Sequence, residues 1–212
     1  MNDSDTSAPT VFVVDDDASV RRSLGRTLRT AGYRVALFAS PSEFLAAADR
    51  RAPGCLVLDV RLPGLNGLEL QERLTAEGLS VPIVFITGHG DVPTTVRAMK
   101  GGATDFLPKP FGAAVLLASV REALAKDAAT RQDRDECQEL RARAASLSAR
   151  EREVLCGVVS GKLNKQIAAK LGITVRTVKA HRHCVMAKLG IASVAELVRS
   201  TDRIAISAHR RP

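Results

Sequence analysis

Tryptophan is absent from this 212-residue chain, tyrosine occurs once, and all seven aromatic side chains lie between Phe12 and Phe111. An enclosed pocket for an organic signal molecule is usually lined by such rings. Their scarcity argues against a small-molecule sensor. No apolar run approaches the roughly 18 residues a membrane helix needs, and the opening MNDSDTSAPT is polar and acidic, unlike a secretory signal. The four cysteines (Cys55, Cys137, Cys156, Cys184) form no CxxC pair and show no metal-ligand spacing. Reduced thiols in a cytoplasmic protein are the expectation.

Acidic residues run short in one region only. Residues 1–124 hold 13 Lys+Arg against 14 Asp+Glu, and residues 125–146 hold five of each. Residues 147–212 hold 13 against four, a local balance of +9. Two domains follow, one near neutral and one basic. A charge excess of that size exceeds what solubility needs and points to a polyanion, most simply nucleic acid.

Residues 10–111 alternate apolar runs with helical spacing. Strands are expected at 11–14, 34–38, 55–60, 83–87 and 105–107. Val20, Leu24 and Leu28 recur every fourth residue and lay one apolar stripe on a helix. Ser40-Pro41-Ser42-Glu43 reads as a capping box with proline at the first helical position. Five strands alternating with five helices predict a parallel sheet covered on both faces, with ligands at the carboxyl edge of the strands.

A helix over 113–129 is expected to turn Val115, Leu116, Val120 and Leu124 inward. Residues 126–147 have cancelling charges and a thin stripe of Cys137, Leu140, Ala144 and Leu147. That pattern suits a helical linker, and a flexible one nearly as well. Everything beyond reads as helix. Ser148–Glu151 is a second capping box, with Gly161 as a stop; Asn164 is expected to cap a short helix that Gly172 ends. Thr174 and Ser193 are further caps. Helix, glycine-containing turn, helix is the spacing of a helix-turn-helix. The expected boundaries are disordered ends at 1–9 and 207–212, domains at 10–125 and 148–206, and a linker at 126–147.

Strand ends gather the chemistry. Asp15, Asp16 and Asp17 follow the first strand, Asp59 ends the third, Thr87 the fourth, and Lys109 follows the fifth. Taken singly, each is more often a cap, a turn residue or solvated surface. Together, at converging edges, they form an acidic pocket suited to a hard cation such as Mg²⁺. A carboxylate there can act as nucleophile toward a phosphoryl group, with Lys109 and Thr87 binding its oxygens.

The segments VVDDD, LVLDVRLPGLNG, VFITGHGD and DFLPKPF resemble the signatures of response-regulator receiver domains across residues 10–125. TGHGDVPTTVRAMKGGATDFLPKPF is similar to the FixJ/StyR/TodT-like branch of the NarL/FixJ family. The resemblance implies a flavodoxin-like (βα)5 fold in which Asp59 takes a phosphoryl group from a sensor histidine kinase. It further implies Mg²⁺, with Mn²⁺ able to substitute, held by Asp15, Asp16, Asp59 and the backbone carbonyl of Arg61. Thr87 and Lys109 would bind the phosphoryl oxygens, and Phe106 would swing inward as Thr87 moves. From the residues alone, Phe106 is equally a plain core aromatic.

LSAREREVLCGVVSGKLNKQIAAKLGITVRTVKAHRHCVMAKLG resembles the LuxR-type helix-turn-helix. Helical geometry can be applied to it separately. At roughly 100° per residue, Arg176, Lys179, Ala180, His183 and Ala187 share one face, and Val178, His181, Val185 and Leu189 lie opposite. Arg176, Lys179 and His183 are therefore candidates for base edges or nearby phosphates; Lys165, Thr177 and Arg182 are candidates for phosphates. His181 falls inward and reads as structural. Val194 departs from the basic or polar residue many relatives carry there, which bears on the fourth helix.

Together these features predict a two-component transcription regulator rather than an enzyme. A homodimer formed on phosphorylation, paired half-sites on double-stranded DNA and RNA polymerase complete the expected partners, with no membrane. A haloacid-dehalogenase-type phosphatase, with Asp15 of VVDDDAS as nucleophile, is the enzymatic rival. It lacks here the later acid pair and the substrate cap.

Overall fold

A computed structural model of the chain describes residues 8–50, 52–88, 92–193 and 195–199. Five strands, β1 (Thr10–Val14), β2 (Arg34–Phe38), β3 (Gly54–Asp59), β4 (Ile83–Thr87) and β5 (Asp105–Pro108), form one parallel sheet in the order β2-β1-β3-β4-β5. Each expected strand is present, and β3 is shifted by one residue so that Asp59 closes it. The strands read as unbroken apolar runs because both faces are covered. Phe12, Val14, Leu56, Leu58 and Phe85 pack on one side with α2 (Pro41–Ala47), α3 (Gly67–Ala76) and α4 (Val92–Lys100). Val11, Val13, Val57, Val84 and Ile86 pack on the other, against α1 (Ala18–Thr30) and α5 (Ala113–Ala145).

The local signals act as the chemistry requires. Asp17 caps α1, Ser40 Oγ accepts from the Glu43 N–H, and Pro41 opens α2. The expected capping box closes only halfway, because the Glu43 carboxylate accepts from the Ala39 N–H instead of that of Ser40. Gly67 lets α3 start hard against the end of β3, where a Cβ would run into the Asp59 carbonyl oxygen. Leu116 and Val120 are buried, as expected, but Val115 is 49% exposed. It lies about 100° away from Leu116 on the helix and so misses the sheet.

α5 is one helix of 33 residues. The chain divides into two compact units between Arg131 and Gln132. On the first side, the Asp127 carboxylate accepts from the Gly54 N–H at 2.9 Å and from Arg131 at 2.7 Å. On the second, Leu140, Ala144 and Leu147 pack into the core of the helical unit.

That unit comprises α6 (Ala149–Val159), α7 (Asn164–Leu171), α8 (Val175–Leu189) and a helical segment at 195–199. Val154, Ile167, Val178, Val185, Leu189 and Leu197 form its core. The Ser148/Glu151 capping box is closed in both directions, Gly172 ends α7 in the left-handed conformation (φ 64°), and Thr174 caps α8. Asn164 does not cap α7. Leu163 occupies the cap position without a side-chain bond, while Asn164 Oδ1 accepts from Arg182 at 2.6 Å. Ser193 Oγ accepts from the Glu196 N–H, as the expected cap does. Val194, the C-terminal tail and, except for residues 8 and 9, the N-terminal segment lie outside the described residues.

Glu151 is buried and accepts from Lys188 at 2.7 Å. That bond, with the Ser148 N–H, lowers its pKa from the ordinary 4.5 to about 2. The stabilisation is present above pH 4.5 and is lost as pH falls toward 2. Unfolding of the helical unit followed by circular dichroism is expected to steepen across that window, and Glu151→Gln is expected to flatten it.

Candidate functional site

In a parallel sheet of order 2-1-3-4-5 the strand order reverses between β1 and β3, and the crevice at their carboxyl ends is where such sheets bind ligands. Asp15 follows β1 and Asp59 closes β3. The fold therefore brings them together at that crevice. Asp15 is fully buried, Asp59 is 8% exposed and Asp16 faces solvent. Carboxylate oxygens of Asp15, Asp16 and Asp59 lie within 4.8 Å of one another. Three hard oxygen donors in so small a space suit a divalent cation of the Mg²⁺ class.

Lys109 holds the cluster. Its Nζ donates to Asp15 Oδ2 at 2.7 Å and to Asp59 Oδ2 at 2.6 Å. The Lys109 N–H donates to the Thr87 carbonyl at 2.7 Å, which docks the loop after β5 onto the end of β4; the Lys109–Pro110 peptide is cis. Thr87 is fully buried beside it. Burial pushes the Asp15 pKa up, and the hydrogen bond from Lys109 offsets only part of that rise. Burial acts to lower the Lys109 pKa, but its bonds to Asp15 and Asp59 prevail and raise it.

Three backbone contacts complete the pocket. Asp15 Oδ1 accepts from the Asp17 N–H at 2.8 Å, and Asp59 Oδ1 from the Arg61 N–H at 2.9 Å. Arg21 Nη1 donates to the Asp15 carbonyl at 2.6 Å. Sequence reasoning missed Arg21. A cation in the first turns of a helix opposes the helix dipole, and that mismatch was the available signal. Phe106 is half-buried, with its ring 6.3 Å from that of Phe85. A cleft of about 490 Å³ opens beside the cluster, lined by Asp16, Arg61, Asn66, Thr94 and apolar side chains.

In the helical unit, Arg176, Lys179, Ala180, His183 and Ala187 are all exposed on α8, and Val178, Val185 and Leu189 are buried. His181 is half-buried, on the inward side as expected. Lys165 is exposed on α7, the Thr177 and Thr174 hydroxyls share a bond of 2.8 Å, and Arg182 spends one nitrogen on Asn164.

Two family models match the chain: the response regulator receiver domain over residues 11–121, and the luxR family of bacterial regulatory proteins over residues 145–201. The chain belongs to the response-regulator family. It is 44% identical to the response regulator protein TmoT of Ectopseudomonas mendocina over 96% of this chain and 91% of the relative. It is 47% identical to the transcriptional regulatory protein FixJ of Azorhizobium caulinodans, over 89% and 90% respectively. A solved structure of the response regulator StyR matches with a TM-score of 0.79 and 50% identity, covering 92% of this chain and 99% of that one. As a member of this family the chain is a two-component, LuxR-type DNA-binding transcription regulator and not an enzyme. Its family implies a sensor kinase as partner. Among the described residues no helix is long and apolar enough to cross a membrane.

Replacing Lys109 by alanine leaves the Asp15–Asp59 pair without its shared cation. A loss of stability on the order of 3 kcal/mol is expected at pH 7. Thermal melts should recover part of it as pH falls and Asp15 takes up a proton. The recovery should exceed that of the wild type, in which the bond from Lys109 offsets part of the rise in the Asp15 pKa.

Proposed function

We propose that Asp59 is the phosphoacceptor and that its modification governs DNA binding by α8. The observation that carries this is Lys109 Nζ poised between Asp15 and Asp59, a cation where charge accumulates during phosphoryl transfer. An Asp59 oxygen attacks the phosphorus of a sensor kinase's phosphohistidine, the P–N bond breaks, and the imidazole leaves. Lys109 and the Thr87 hydroxyl then bind phosphoryl oxygens, while Arg21 and the Asp17 N–H hold Asp15 in place. Asp15, Asp16, Asp59 and the Arg61 carbonyl would hold Mg²⁺, or Mn²⁺ in its stead. The bound cation offsets negative charge on the transferring group.

Phosphorylation replaces the single charge of the Asp59 carboxylate by up to two on the acyl phosphate and adds strong acceptor oxygens. It shifts an existing equilibrium in which Thr87 and Phe106 move together. The exposed apolar side chains Val92, Val96 and Met99 on α4 and Val115 on α5 provide surface for a homodimer. Two helix-turn-helix domains then engage paired half-sites, gaining through effective concentration. Free cysteines and the DNA target fit a cytoplasmic protein, with RNA polymerase as a further partner at the promoter.

Incubation with acetyl phosphate and Mg²⁺ is expected to add one phosphoryl group to the wild type by intact mass, with a shift toward dimer in light scattering. Asp59→Asn should show neither; incorporation in both proteins would place the acceptor elsewhere. On the DNA side, Arg176→Ala is expected to weaken binding by about 1–3 kcal/mol and relax sequence preference. Lys165→Ala should weaken all sequences alike and lower the salt slope by about one. Quantitative binding at several salt concentrations separates the two roles.

A further inference from the structure

The buried polar side chains of α5, among the described residues, are Ser119 and Asp127, each 3% exposed. Both sit in the stripe that faces the sheet, where alanine would pack without needing a partner. Buried polar groups are retained where they are bonded, and both are bonded to strands. Ser119 Oγ donates to Asp105 Oδ2 at 2.6 Å, and Asp105 Oδ1 accepts from the Phe106 N–H at 2.8 Å. Alternation along β5 sends the Asp105 carboxylate to the α5 face and the Phe106 ring to the opposite face, against Phe85. One carboxylate thus touches both α5 and the peptide of Phe106. Asp127, about 12 Å further along the helix by its rise, accepts from the Gly54 N–H at the start of β3. Arg131 braces it and also donates to the Ala52 carbonyl at 2.6 Å.

These two attachments differ mechanically. β3 is central, paired with β1 and β4, and cannot shift without breaking two ladders; β5 is an edge strand and is paired on one side only. The Asp127 end is therefore fixed, and the Ser119 end follows β5. We propose that Ser119 and Asp105 are positioning residues that carry a shift of β5 and Phe106 to α5, which turns about its Asp127 attachment. α5 continues unbroken to Ala145, with Leu140 and Ala144 packed into the helical unit's core. This deepens the phosphorylation-driven switch described above and rests on it.

The test uses the full chain as wild type, Ser119→Ala and Asp105→Asn, each with and without acetyl phosphate and Mg²⁺. Phosphate incorporation is read by intact mass, and affinity is read on a duplex selected from a randomised pool by phosphorylated wild type. Ser119→Ala is expected to incorporate phosphate like the wild type, which also shows that its receiver is folded. Its gain in DNA affinity on phosphorylation should be smaller by about fivefold or more, the scale of an ordinary coupling energy. Asp105→Asn keeps an oxygen for the Ser119 hydroxyl and should retain most of the gain. A full wild-type gain in Ser119→Ala overturns this inference and leaves phosphorylation control standing. No gain in the wild type overturns both.

Discussion

Two carboxylates at the ends of adjacent strands repel each other, and in this fold the ammonium of Lys109 lies between them, 2.7 Å from Asp15 and 2.6 Å from Asp59. Much of the molecule serves that arrangement. The sheet order places β1 and β3 side by side, parallel, at the point where the strand order reverses, so both acids emerge into one crevice. Gly67 permits α3 to begin against Asp59, Arg21 fastens the loop carrying Asp15, and the bond from the Lys109 N–H to the Thr87 carbonyl docks the cation's own loop. A pocket held by a single cation is sensitive to any new charge. The phosphoryl group proposed for Asp59 would redistribute the bonds Lys109 makes, and Thr87 stands next to it.

The basic unit meets a different demand. Its fold turns Val178, Val185 and Leu189 inward and leaves arginine, lysine, histidine and alanine on the outer face of α8. Small side chains between cations let a helix approach the floor of a major groove while the charges reach its walls. The whole net positive charge of the chain, +8, lies in this unit, whose residues 147–212 carry +9, and the receiver is close to neutral. Attraction to DNA and control by phosphate are thus assigned to separate pieces of the chain, with α5 reaching from one to the other.

Most of the fold was legible because it follows from local rules. Strands buried on both faces read as apolar runs, the capping box at Ser148 closes as its residue types allow, and glycine ends α7 where a left-handed residue is needed. The pocket was legible for a topological reason: parallel strands bring their carboxyl ends together whatever lies between them in sequence. What escaped depends on partners far away. Asp127 lies 73 residues from Gly54, and nothing near it in sequence marks it as buried. Asn164 has the chemistry of a cap, yet Arg182 claims its oxygen. Val115 shows how a helix stripe narrows when serine and alanine face the sheet alongside leucine and valine.

The central claim is that chemistry at Asp59 sets the DNA affinity of α8. Its most direct measurement is the affinity of one protein preparation for one DNA duplex at one salt concentration, before and after acetyl phosphate, with Asp59→Asn alongside. The account predicts tighter binding after phosphorylation in the wild type and no change in the variant. Equal affinity in all four conditions would contradict it and leave the basic unit as a constitutive DNA binder.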